Sequence, residues 1–250
     1  MVHADSALLP STIRTKRDLY SHLQSSLASL LEGQTAWVTN LANASSLLHA
    51  SLNDWRRRRA DSEAGATEEE ADSTRGKTLN WTGFYLLSGL FPTPRPALLS
   101  KGGKKVPTLV LGPFHGLPAC QAIPSVPGKG VCADGSAVLP PRTVRVARTD
   151  DYPGHIACDS LSKSELVIPL VVPLSSLSEA HRHLVRQAAS EDLKGTGAQD
   201  ELIAWSGQDE GVEVILGVLD IDCVDEDGFD EVDQEGLEEC VRIIVRSCAW

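Results

Sequence analysis

The chain has 250 residues and 42% hydrophobic content, enough to bury a full core as one large domain or one domain with decorations. Its formal charge of −11 argues against a nucleic-acid partner, which would require a basic face. The opening MVHADSALLPSTIRTKRDLY lacks a basic region followed by an apolar one, and no apolar run approaches the ~18 residues of a bilayer span, so no membrane association and a cytoplasmic location are expected.

Ile13, Leu19, Leu23, Leu27 and Leu30 recur at helical spacing and predict an amphipathic helix over 12–31. A second helix is expected over about 35–58, with Trp37, Leu41, Leu48, Leu52 and Trp55 on its apolar side. The stretch RRRRADSEAGATEEEADSTRGK, 56–77, is a basic block followed by an acidic one and reads as a disordered insertion. Arg56 to Arg59 are read as a solvated helix end; the other reading, a localisation or nucleic-acid patch, leaves the nucleus open.

Strand patterns follow in WTGFYLL (81–87), TLVLGPF (108–114), TVRVA (143–147), ELVIPLVV (165–172) and VEVILGVLDID (212–222). Between them, 92–106 is Pro/Gly-rich and reads as an inserted hairpin loop. The segment 174–210 is too long for a hairpin loop and reads as another insertion, with a short helix over 178–190. Val232, Leu237, Cys240, Val241, Ile244 and Cys248 then predict a closing amphipathic helix within 230–250. This order predicts a single domain over 1–250 of the α/β (α+β) class, with an antiparallel-rich sheet of about six strands and helices segregated to one side.

In a reducing compartment, six cysteines point to catalysis, redox chemistry or burial rather than a disulfide framework. Cys223, Cys240 and Cys248 read as packing residues. Cys120 (LPACQA), Cys132 (GKGVCADG) and Cys158 (HIACDS) fall among glycines and polar residues, in loops where thiols can be activated. Zinc with His155 as fourth ligand is one use of such a set; without a CxxC pair no metal is assigned.

In GVLDID, strand alternation puts Asp220 and Asp222 on one face about 7 Å apart, with Leu219 and Ile221 on the other. Paired carboxylates can hold an ammonium group, or one can retain a proton; a solvated strand end is the plainer reading. CVDEDGFDEVDQ mimics a calcium loop, but Cys223 and Gln234 occupy ligand positions, so it reads as an acidic turn.

WTGFYLL, LVLGPFHGLPACQ, GKGVC, YPGHIACDSLSKSELVIPLV and GVLDID, in that order, resemble the free methionine-R-sulfoxide reductases, enzymes built on the GAF fold. The resemblance covers about 80–222 and implies a GAF-like architecture and reduction of free methionine-R-sulfoxide. It implies that Cys158 is the nucleophile and that Cys120 and Cys132 are the other redox cysteines, one of them resolving. It further implies that Trp81, with Tyr85 in the same strand, packs on the substrate, and that Glu165, Asp220 and Asp222 hold and protonate it. One departure is AIPSVPGKG between Cys120 and Cys132, two residues longer than in the family pattern.

The chemistry implied is thiolate attack, a sulfenic acid on Cys158, then an intramolecular disulfide, for which Cys120 is the preferred partner. Thioredoxin would be the electron donor, with no other cofactor, and assembly as a homodimer stays open. The competing class is a non-enzymatic GAF module that binds a small ligand, or a cysteine redox sensor. A sensor normally transmits to an output domain, for which the chain has little room.

Overall fold

The computed structural model describes residues 9–61, 72–91, 100–101, 104–155, 159–183, 203–206 and 211–250. Helix α1, Lys16–Leu31, begins at Thr15, whose hydroxyl accepts the Asp18 N–H while the Asp18 carboxylate accepts the Thr15 N–H. This reciprocal cap satisfies two end donors and starts the helix later than apolar spacing suggests. Leu19, Leu23, Leu27 and Leu31 form its buried stripe. Helix α2, Trp37–Asp61, runs past the expected end at Arg58.

The strands are β1 (Leu79–Leu87), β2 (Ser100–Lys101), β3 (Lys104–Lys105), β4 (Thr108–Gly116), β5 (Ala122–Pro124), β6 (Val144–Val146), β7 (Ser164–Pro173), β8 (Ile203–Ser206) and β9 (Val212–Cys223). The main sheet has the order β5-β4-β1-β9-β7-β6, with β8 also paired to β9, and every described pairing in it is antiparallel. Strand β9 is long enough to serve two neighbours along one edge: β1 takes Gly217 to Cys223 and β8 takes Val212 to Ile215. A short helix, α3 (Val131–Ala137), precedes β6, and the closing helix α4 (Glu231–Arg246) is capped reciprocally by Asp230 and Asp233.

One sheet face carries α2 and α4, with α1 packed against both helices. His49 Nδ1 of α2 lies 3.2 Å from Thr82 Oγ1, and Arg56 reaches Cys223, which places Thr82, Ile221 and Cys223 on that face. Helix α3 packs on the opposite face, so the helices are not segregated to one side as expected. The approach is close because Gly135 has no side chain: a Cβ there would stand 2.5 Å from Val167 Cγ1. Seven residues with one glycine carry no readable helical stripe, which is why GKGVCADG reads as a loop.

Arg56 departs from its expected solvated position. It is 2% exposed, donates to the Gly228 carbonyl at 2.8 Å and lies over the Phe229 ring, 5.2 Å from its centroid. The carbonyl, the ring and the buried Asp233 carboxylate, 4.0 Å away, compensate the guanidinium for lost water. Arg57 and Arg58 do remain on the outside, paired with Asp54.

Of the expected insertions, 62–71, 92–99, 102–103, 184–202 and 207–210 lie outside the described residues. Within 56–77, Asp72 binds Trp55 Nε1 at 2.8 Å and Lys16 Nζ at 3.1 Å, tying that end of the segment to the body of the fold. Within 92–106, β2 and β3 form a separate two-stranded ribbon. Within 174–210, β8 adds a strand that the sequence pattern does not reveal. The acidic turn before α4 is a turn, with Asp225 accepting the Thr78 N–H at 3.0 Å.

Candidate active site

Residues directly opposed in an antiparallel sheet share a face. Across three neighbouring strands, Asp222 is opposed by Trp81 and Glu165, and Asp220 by Gly83 and Val167. Glu165, Asp220 and Asp222 therefore converge on the α3 face, while Leu219 and Ile221 pack on the other side. The carboxylates are not a solvated strand end: they are 4%, 5% and 8% exposed. Helix α3 and the loop leading into it cover them.

Cys132 sits on that helix, one turn before Gly135, and its Sγ donates to Glu165 Oε1 at 3.5 Å. His155 brings Nδ1 to 3.8 Å from the other Glu165 oxygen. A small cavity is lined by these groups together with Asp220, Asp222, Lys129, Asp159 and Ser162.

Two short contacts hold the walls together. Asp134 on α3 accepts the Gly128 N–H and the Tyr152 hydroxyl, each at 2.6 Å. At Gly154, φ is +72° and a Cβ would stand 2.6 Å from the Gly128 carbonyl oxygen, so only glycine lets the two loops touch. On the far rim, Asn80 Nδ2 donates to Asp159 at 2.9 Å and Ser162 at 3.0 Å.

Burial, then the charges of Asp220 and Asp222, pushes the Glu165 carboxyl well above the ordinary range. Burial and then Asp220 do the same to Asp222. Asp220 is pushed up to about 6 by burial, against hydrogen bonds from Cys132 and Glu165. In all three the surroundings favour the protonated acid over the carboxylate. Burial followed by Asp220 and Glu165 also raises the Cys132 thiol strongly, which keeps its sulfur protonated. Asp220 Oδ1 and His155 Nε2 are buried without a hydrogen-bond partner.

Trp81 is stacked between Tyr85 and Phe114, with ring centroids 5.7 and 5.3 Å away. Its indole can lie along the strand because Gly83 is bare: a Cβ there would be 2.5 Å from the ring. The Tyr85 hydroxyl donates to the Cys120 carbonyl at 2.9 Å, fixing the backbone of that cysteine in the β4–β5 connection. Trp81, Tyr85 and Cys120 adjoin the site but do not line the cavity, whereas Cys132, Glu165, Asp220 and Asp222 do. Cys158 lies outside the described residues. Cys223 and Cys240 are buried and Cys248 half-buried. Asp134, Tyr152, Asn80 and Gly135 carry no chemical signature in the sequence; their roles come from contacts distant in the chain.

No family model matches the chain. It is 33% identical over 248 residues to a free methionine-R-sulfoxide reductase of Saccharomyces cerevisiae, covering 99% of this chain and 95% of that protein. It is 35% identical over 157 residues to the protein of the same name from Escherichia coli, covering 63% of this chain and 68% of that one. Among solved structures, it resembles a GAF domain with a TM-score of 0.62 at 30% identity, covering 100% of this chain and 98% of the other. It also resembles the free methionine-R-sulfoxide reductase of Neisseria meningitidis in complex with its substrate, with a TM-score of 0.58 at 26% identity and coverage of 96% and 95%.

Proposed function

The chain belongs to the family of free methionine-R-sulfoxide reductases and is an oxidoreductase acting on a sulfur group, and from that premise we propose how its residues reduce free methionine-R-sulfoxide to methionine. The observation that carries the mechanism is the burial of Glu165, Asp220 and Asp222 in one cavity wall beside Cys132.

A sulfoxide sulfur becomes electrophilic when its oxygen is protonated, and carboxyls that keep their protons near neutrality suit that task. Those that are ionised would pair with the substrate's ammonium group. The Cys158 thiolate attacks the sulfur, the oxygen is transferred, and methionine leaves with Cys158 as a sulfenic acid. The Cys120 thiol then attacks that sulfenic sulfur, water departs, and a disulfide forms. Two thiols and one sulfoxide thus yield one disulfide, one methionine and one water.

Cys120 is preferred over Cys132 as the resolving partner, since the Cys132 sulfur is buried among carboxylates that disfavour its ionisation. Cys132 would then assist by its contact with Glu165. Thioredoxin restores both thiols by exchange at the disulfide. Trp81 packs on the methyl end of the substrate, with Tyr85 supporting it. We place the enzyme in the cytoplasm, acting as one GAF-like domain.

The test is to incubate the purified chain with each epimer of free methionine sulfoxide, using dithiothreitol as reductant. The R epimer should be consumed, the S epimer left, and an N-acetylated substrate poorly used. Peptide mapping after one turnover without reductant should find Cys120 joined to Cys158. Equal use of both epimers would overturn the proposed reaction, and a Cys132–Cys158 bridge would overturn the assignment of Cys120.

A further inference from the structure

Cys132, Glu165 and Asp220 come from three separate elements, yet one ligand atom of each lies within 4.8 Å of the other two, and all three residues are buried. Tetrahedral zinc holds thiolate sulfur at about 2.3 Å and carboxylate oxygen at about 2.0–2.2 Å, so a sulfur–oxygen edge of its coordination sphere measures about 3.5 Å. The Cys132 Sγ to Glu165 Oε1 separation is 3.5 Å. The third ligand is waiting: Asp220 is 5% exposed and its Oδ1 has no hydrogen-bond partner. His155 presents Nδ1 3.8 Å from the second Glu165 oxygen, at the edge of the same cavity.

We propose that this cluster binds a divalent cation of the zinc type through Cys132, Glu165 and Asp220, with His155 or water completing the sphere. A buried carboxyl ionises readily only where a cation offsets its loss of water, and a dication supplies two positive charges at once. The thiol selects a borderline-soft metal; magnesium prefers octahedral oxygen and keeps its waters. On binding, the Cys132 S–H and the Glu165 carboxyl release their protons to solvent, and the sulfur and carboxylate lone pairs form the bonds to the metal, with no change of oxidation state. If the reading of the site given above holds, bound zinc occupies the ground of the substrate's ammonium and acts as a reversible inhibitor rather than a cofactor.

The experiment titrates the full-length chain, kept reduced with a phosphine, with cobalt(II) and then zinc(II), in the absence of substrate. One cobalt per chain should bind with a thiolate-to-metal charge-transfer band, and one zinc should displace it. Cys132→Ser should abolish the band and weaken zinc binding at least about tenfold, the loss that even an outer-shell partner can cause. Glu165→Gln should weaken it while leaving the thiol in place, which keeps the test decisive if Cys132→Ser does not fold by near-ultraviolet circular dichroism. A full band in Cys132→Ser, wild-type affinity in Glu165→Gln, or zinc binding no tighter than that of magnesium would overturn the proposal. None of these readouts depends on reductase activity.

Discussion

Glu165 on β7 and Asp222 on β9 face each other directly across an antiparallel pair, and both are buried. Like charges at such positions destabilise a sheet, and burial adds the cost of removing each from water. The fold answers by favouring the protonated acids over the carboxylates at these positions. Measurable consequences follow from this wall and from the elements that cover it.

Stability should fall as pH rises through the range in which Asp220 ionises. A carboxyl raised in the folded state binds its proton more tightly there than in the unfolded chain. Its contribution is therefore fully present below the ordinary value of 3.8 and is lost as pH climbs through about 6. The size is at most about 3 kcal/mol for a shift of this order. Because other carboxylates titrate too, the quantity to measure is wild type minus Asp220→Asn by urea unfolding across this range. A difference that does not decline with pH would show that Asp220 ionises normally.

Glu165→Gln should separate stability from activity. The amide matches the protonated acid in shape and removes a source of like charge, so the fold should be as stable as before or up to about 1 kcal/mol more so. Turnover should drop by roughly 10²–10⁴-fold, the usual worth of a general acid. Parallel unfolding and steady-state measurements check both halves, and near wild-type turnover would remove Glu165 from the chemistry.

Gly135→Ala tests how α3 is seated. In an open helix the change would gain up to about 1 kcal/mol. Here the new Cβ meets Val167 at 2.5 Å, so a loss of about 1–3 kcal/mol is expected instead, with Cys132 displaced and more reactive toward thiol reagents. Adding Val167→Ala should recover part of that loss, giving a coupling of about 0.5 kcal/mol or more in a double-mutant cycle. A stabilised single mutant would mean that α3 packs elsewhere.

Tyr152→Phe removes one hydrogen bond to Asp134 and leaves the ring in place. The stability cost should be about 1 kcal/mol. Turnover should fall by roughly tenfold or more, because the loop carrying His155 loses its tie to α3 and small displacements are costly in catalysis. Unchanged turnover would show that this contact does not position the loop.

The strand pattern of GVLDID was enough to place Asp220 and Asp222 on one face, and the order of strand and helix patterns was enough for the class of fold. These are local properties, set by the two-residue period of a strand and the apolar stripe of a helix. Arg56 shows where local reading stops. A run of four arginines has every mark of a solvated end, and it takes the Gly228 carbonyl, the Phe229 ring and the Asp233 carboxylate, all far away in the chain, to make burial tolerable for the first of them.

The same limit applied to the site. The sequence by itself determined that Asp220 and Asp222 would point the same way from one strand, and it offered the other carboxylates and the thiols as candidates without relating them in space. Only the tertiary structure decided that the face is closed, through Gly135 against Val167 and Gly154 against Gly128, and that Cys132 rather than Cys120 meets Glu165 there. Closure is what changes the chemistry: exclusion of water shifts the ionisation of the carboxyls and the thiol, and it arises from contacts between segments that no local pattern relates.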